Sequence, residues 1–209
     1  MSHWLLLKNP DETAISIPLI PAKRVIGYGV NQYSFDISLK PDKSDSLYHS
    51  AKLGGQQGFE LLWREGYIRQ SVTARFELDV PPNVHGNSAD LLFALAVITH
   101  IMKDINYPSF AATGCLNEKG IVGSVKGVPE KLNTALNTLP SESIIFYPKA
   151  NDAEINSTLR QKAEVSKIAL HPIERLDQAV SYLGINITKV YLKSPYRGLE
   201  AFHAEHRSI

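Results

Sequence analysis

Residues 88–105 carry Ala89, Leu91, Leu92, Ala94, Leu95, Val97, Ile98, Ile101 and Met102, which are apolar on most faces of a helix. A helix with one apolar stripe can lie on a surface, but one that is apolar nearly all round must be enclosed by other elements. The rest of the chain therefore has to supply a sheet and further helices to wrap it. With 209 residues, 44% hydrophobic and 21% charged, it has the material for such a core without disulfides or metal. Disorder, collagen and coiled coil are excluded on the same grounds.

The flanking pattern predicts a mixed α/β (α+β) fold. Short strands are expected at 14–19, 24–30 and 33–39, punctuated by Pro18, Pro21, Gly27 and Gly29. A long alternating strand is expected at 66–80, ending at Pro81-Pro82, and strands at 110–116 and 121–125 flank a turn at 117–120. Pro129 suits the first turn of a helix, where its missing N–H does no harm. After it the chain reads strand 143–147, helix near 152–162, strand 168–171 and helix 174–183. The polar stretch 40–58 shows no clear period and reads as a long surface loop, either a tolerated insertion or a lid over a site. There is no internal repeat. Residues 1–185 are expected to form one domain, and 186–209 an appended tail or linker.

Several function classes fall away. Lys+Arg 22 against Asp+Glu 21 gives a formal net charge of +1, so no sequence-wide basic field recruits nucleic acid. One cysteine, Cys115, forbids an intrachain disulfide and a cysteine-rich zinc site, and it points to the cytosol. The seven histidines are scattered, with no H-x-x-x-H spacing, so no metal is expected. No G-x-x-x-x-G-K-[ST] phosphate loop occurs, and no cofactor is expected. The start lacks the basic and long apolar parts of a signal peptide. No run approaches the ~18–20 apolar residues of a membrane span.

Two segments carry chemistry. In His85-Gly86-Asn87-Ser88-Ala89-Asp90 a serine stands at the start of the buried helix. Unpaired N–H groups and a partial positive charge there suit an oxyanion, although Ser88 could equally be an N-cap. Lys131 falls in the first turn of the helix that Pro129 opens, the end that disfavours a cation. That placement would depress its pKa and burial would depress it further, as a lysine general base requires. A solvated surface lysine is the alternative. His85 is a loop histidine that could touch substrate, His100 reads as a core residue, and Cys115 as a small buried hydrophobe. Gly86-x-Ser88-x-Asp90 lacks the second glycine of a G-x-S-x-G elbow, and no S-x-x-K occurs.

Together these segments resemble the proteolytic domain of the Lon family. In that family a G-P-S-A-G helix start holds the nucleophile, and a T-G-E run ends in K-E-K, whose last lysine is the base. The matching residues are Gly86-Asn87-Ser88-Ala89-Asp90 and the run from Thr113-Gly114-Cys115 to Pro129-Glu130-Lys131. The step from Ser88 to Lys131 is 43 positions, equal to the family's own. Ser143-Ile144-Ile145-Phe146-Tyr147-Pro148 and residues 170–180 look like the family's later strands and closing helix. Three positions depart from the pattern: Asn87 replaces proline, Asp90 glycine and Cys115 glutamate. The form Ser88-Ala89-Asp90-Leu91 is closer to the non-proteolytic Lon-like domain of RadA-type recombination proteins.

The resemblance implies a Lon-type fold of mixed sheets and packed helices, and a serine peptidase acting on protein or peptide substrates. Ser88 and Lys131 would be the catalytic dyad, Thr113 would orient the amine, and backbone N–H groups around Asn87 and Ala89 would hold the oxyanion. Gly86, His85 and Asp90 would lie near substrate. Asp90 reads as a first-turn acid that complements the helix dipole, or as a partner that would hold Lys131 protonated. The RadA-like alternative is a non-catalytic binding or oligomerisation module. Ser194-Pro195-Tyr196-Arg197-Gly198-Leu199-Glu200-Ala201-Phe202 looks like the entry segment of STAND-type signalling NTPases. This implies an effector module of a longer regulated protein, switched by self-association, with a role in antiviral defence in bacteria.

Overall fold

The computed structural model describes residues 3–8, 14–26, 35–40, 45–77, 88–102 and 104–185. They form a mixed α/β unit. A seven-stranded sheet has the order β3-β4-β2-β1-β5-β8-β9, built from β1 (His3–Lys8), β2 (Ala14–Ile26), β3 (Phe35–Lys40), β4 (Val72–Glu77), β5 (Phe110–Ala112), β8 (Ile144–Pro148) and β9 (Ala169–Ile173). β6 (Cys115–Leu116) and β7 (Val122–Gly123) make a small antiparallel hairpin. β1 and β5 run parallel, as do β5 with β8 and β8 with β9, whereas β2 is antiparallel to β1 and β4.

Side chains alternate across the sheet with the period of two that a pleated strand imposes. Leu5, Leu7, Phe110, Ala112 and Phe146 enter the larger core. Leu6, Ala111, Ile145 and Tyr147 enter a second core on the opposite face. The larger core is roofed by α1 (Asp45–Arg64), α2 (Asp90–Ile101) and α5 (Leu176–Tyr182), and the smaller by α3 (Val128–Thr138) and α4 (Ser157–Val165). The expectation for residues 88–105 holds in outline: α2 is buried from Asp90 to Thr99, wedged between the sheet, α1 and α5.

The segment 40–58 is not a surface loop, because α1 begins at Asp45 and runs through it. Beside Leu47 and Gln57, its buried residues include the small Ser50, Ala51, Gly54 and Gly58. A Cβ on Gly54 would lie 2.7 Å from the Asp90 carbonyl carbon, and one on Gly58 3.0 Å from that of Ala94. Residues 54 and 58 thus face 90 and 94, a four-residue step on both helices. A ridge of absent side chains carries no hydrophobic period, which is why the polar composition reads as loop.

Other boundaries shift as well. β1 is a strand that the reading of the first residues did not foresee. β2 is continuous through Pro21, where the strands expected at 14–19 and 24–30 are joined by a bulge between Pro21 and Lys23. Pro18 lies within β2, opposite Trp4 of β1. The strand expected at 66–80 begins at Val72, because α1 runs to Arg64 and the chain then turns back on it, with Tyr67 N–H bonded to Leu62 O at 2.8 Å. The tail 186–209 lies outside the described residues.

Candidate active site

Ser88 sits one residue before Ala89, the N-cap of α2, and Ala89 makes no side-chain cap. The Ser88 hydroxyl instead meets Lys131, whose Nζ donates to Ser88 Oγ at 2.9 Å. Of the two roles open to Ser88 from the sequence, the cap is therefore not the one its side chain takes. Lys131 comes from the first turn of α3, on the opposite side of the sheet, and is only 2% exposed. Gly127 caps α3 in the left-handed conformation (φ 69°), which turns the chain into the helix, and Lys131 N–H donates to its carbonyl at 3.1 Å.

Thr113 lies just past the end of β5 and is fully buried. Its Oγ1 donates to the Ser88 carbonyl at 3.2 Å and accepts from Lys131 Nζ at 3.2 Å. A hydroxyl has one proton to give. With that proton committed to Ser88, Thr113 turns lone pairs to the amine. Its own N–H donates to Phe146 O at 3.1 Å, so β8 fixes its height. Gly114 N–H adds a second bond to Ser88 O at 2.8 Å, and Leu91 N–H returns one to Gly114 O at 3.1 Å. Gly114 has φ 150°, and a Cβ there would lie 2.9 Å from Val122 Cγ1. That φ favours glycine, and a side chain there would crowd Val122 on β7.

Asp90 does not face Lys131. Buried to 1% exposure, its carboxylate accepts a hydrogen bond from Ser50 Oγ on α1 and another from Leu116 N–H on β6 at 3.0 Å. Burial raises its pKa, opposed by those two bonds and by His49. Neither sequence-level role, dipole complement or lysine partner, describes it fully: it ties three elements together.

Cys115 is half-buried, its thiol donating to Ser124 O at 3.8 Å, and burial together with the Asp90 charge pushes its pKa up. Such a thiol is protonated and unreactive. His100 is half-buried and tilted on Phe76. His85, Gly86 and Asn87 lie outside the described residues. Two contributors escaped the sequence reading. Ser50 was hidden in the supposed loop; the only signal was the small-residue spacing. Asn151, buried on the 3-10 helix Lys149–Glu154, grips both backbone groups of Val125 ahead of α3, and nothing in the sequence marks it.

Among the described residues no cluster of His, Cys, Asp and Glu could hold a metal, and no helix is long and apolar enough to cross a membrane. Compared with family models and with curated proteins, the chain matches none. The arrangement itself is a primary amine and a serine hydroxyl in contact at the start of a buried helix, with a buried threonine bonded to both residues.

Proposed function

We infer that the chain is a serine peptidase domain of Lon-like type, with Ser88 as nucleophile and Lys131 as general base. The observation that carries the reading is the 2.9 Å contact between Lys131 Nζ and Ser88 Oγ, made by a buried lysine that also bonds Thr113. A buried environment disfavours a charged amine. In its neutral form Nζ can give one proton to Thr113 Oγ1 and point its lone pair at the serine hydroxyl.

Ser88 Oγ then attacks the carbonyl carbon of a peptide bond while its proton passes to Lys131 Nζ. The oxyanion is held by backbone N–H groups around Ala89, ahead of Leu91, whose own N–H is given to Gly114 O. The C–N bond breaks, Lys131 returns the proton to the leaving amine, and an acyl ester remains on Ser88. Water attacks that ester, giving its proton to Lys131; the C–O bond breaks and the proton returns to Ser88. No cofactor enters this scheme.

The domain would be a regulated effector, joined through a tail like the STAND entry segment to a switch that works by self-association. It would work in the cytoplasm on protein substrates, in antiviral defence, with no nucleic acid or membrane partner. A fluorophosphonate serine probe and a casein cleavage assay test the chemistry. Wild type is expected to be labelled and to cleave. Ser88→Ala and Lys131→Met should lose both activities while keeping the circular dichroism spectrum of the wild type. Undiminished cleavage by either variant overturns the dyad. Labelling of neither wild type nor variants, even in the full-length protein, favours the binding-module reading.

A further inference from the structure

The turn that carries Ser88 is held from two sides. From below, Thr113 and Gly114 bond the Ser88 carbonyl. From the other side, the Asp90 carboxylate, two residues on, takes Leu116 N–H from β6 and Ser50 Oγ from α1. Residues 113–116 are thereby zipped to residues 88–91, and α1 is fastened onto the same turn. α1 is also pressed there, since Gly54 packs against the Asp90 backbone with no room for a Cβ.

Resting on the Ser–Lys reading above, we propose that Asp90 is a positioning residue for that reaction: it locks Ser88 in line with Lys131 and makes the alignment depend on where α1 sits, through Ser50. Its action is geometric. The carboxylate faces Ser50 and Leu116, not the amine, and its burial works against full ionisation. An asparagine can keep both links, its Oδ1 accepting from Leu116 and its Nδ2 donating to Ser50 Oγ. Alanine keeps neither, and Ser50→Ala removes the α1 arm alone.

The test compares wild type, Asp90→Asn, Asp90→Ala and Ser50→Ala well below their unfolding temperatures. A fluorogenic peptide gives kcat, KM and the pH profile of kcat, and amide hydrogen exchange is followed at Leu116 and Leu91. Asp90→Ala and Ser50→Ala should lower kcat about 10- to 100-fold with KM little changed, as for a misplaced reacting group. Asp90→Asn should stay within about threefold of wild type with an unshifted pH profile. Exchange should quicken at Leu116 and Leu91 in Asp90→Ala but not in Asp90→Asn. A shifted profile in Asp90→Asn would assign the residue a charge role and overturn the proposal, as would wild-type kcat in Ser50→Ala and Asp90→Ala. The exchange readout separates the two readings. Wild type inactive, but with exchange tightened by Asp90, sinks the Ser–Lys reading and leaves the lock standing. Unchanged exchange in Asp90→Ala sinks the lock whatever the activity.

Discussion

Replacing Gly58 by alanine sets two opposed effects against each other. In an exposed helix the change is stabilising by about 1 kcal/mol, because glycine is the costlier helix former. On α1 the new methyl would overlap the Ala94 carbonyl oxygen and lie 3.0 and 3.1 Å from the Ala94 carbonyl carbon and Cα. These are backbone atoms of a helix buried on nearly every side, so they cannot swing away. Relief requires α1 to lift from α2 by something on the order of 1 Å, and a gap of that size forfeits about a quarter to a half of each dispersion contact along the interface. Overpacking costs about 1–3 kcal/mol, and a clash with helix backbone rather than with a mobile side chain puts this one at about 2–3 kcal/mol, more than the propensity gain. The expected net change is about 1–2 kcal/mol of destabilisation, read as a melting temperature lower by roughly 2–8 °C for a domain of this size. Urea unfolding at constant m-value measures it directly. A Gly58→Ala protein as stable as wild type, or more so, refutes the close helix approach.

Thr113→Val keeps the shape but loses the proton given to Ser88 O and the acceptor for Lys131 Nζ; it should cost about 1–2 kcal/mol in stability and lower kcat at least tenfold with KM unmoved, measured on the fluorogenic peptide. His3 is 2% exposed, its Nε2 bonded to Thr99 at 3.0 Å, with no partner for Nδ1 among the described residues. Burial, with His100 adding to it, lowers its pKa from 6.5 to about 4. Below pH 6.5 the unfolded chain takes up a proton that the folded one refuses. Stability present above that pH is therefore lost as pH falls from 6.5 toward about 4, by up to about 3 kcal/mol. Urea titrations should show that slope, and His3→Gln should flatten it.

The mixed α/β class and the enclosed helix were legible because apolar residues repeat at distances that only certain elements can satisfy. The pairing of Ser88 with Lys131 was visible as residue types at a spacing, but the contact itself depends on a sheet whose strand order no local pattern encodes. α1 went unseen for a physical reason: its packing face works by the absence of side chains at Gly54 and Gly58, and hydrophobic periodicity measures presence. The contacts of Asp90 went unseen for a related reason. Its position two residues after Ser88 suggested local electrostatics, whereas its partners come from Ser50 and Leu116, 40 and 26 positions away.

Thr113 takes its height from Phe146 of β8, and Lys131 arrives from the far side of the sheet. A chain still being assembled therefore contains the serine and the lysine without the buried contact between them. In water an exposed lysine amine titrates near pH 10.4 and stays charged under physiological conditions, so it cannot take a proton from the hydroxyl. If the pair is a dyad, hydrolytic competence requires β8 to be docked beside β5, since Thr113 hangs from Phe146 O. On that reading the domain cannot digest its neighbours while both are still unfolded, and an influence that separates β8 from β5 silences it.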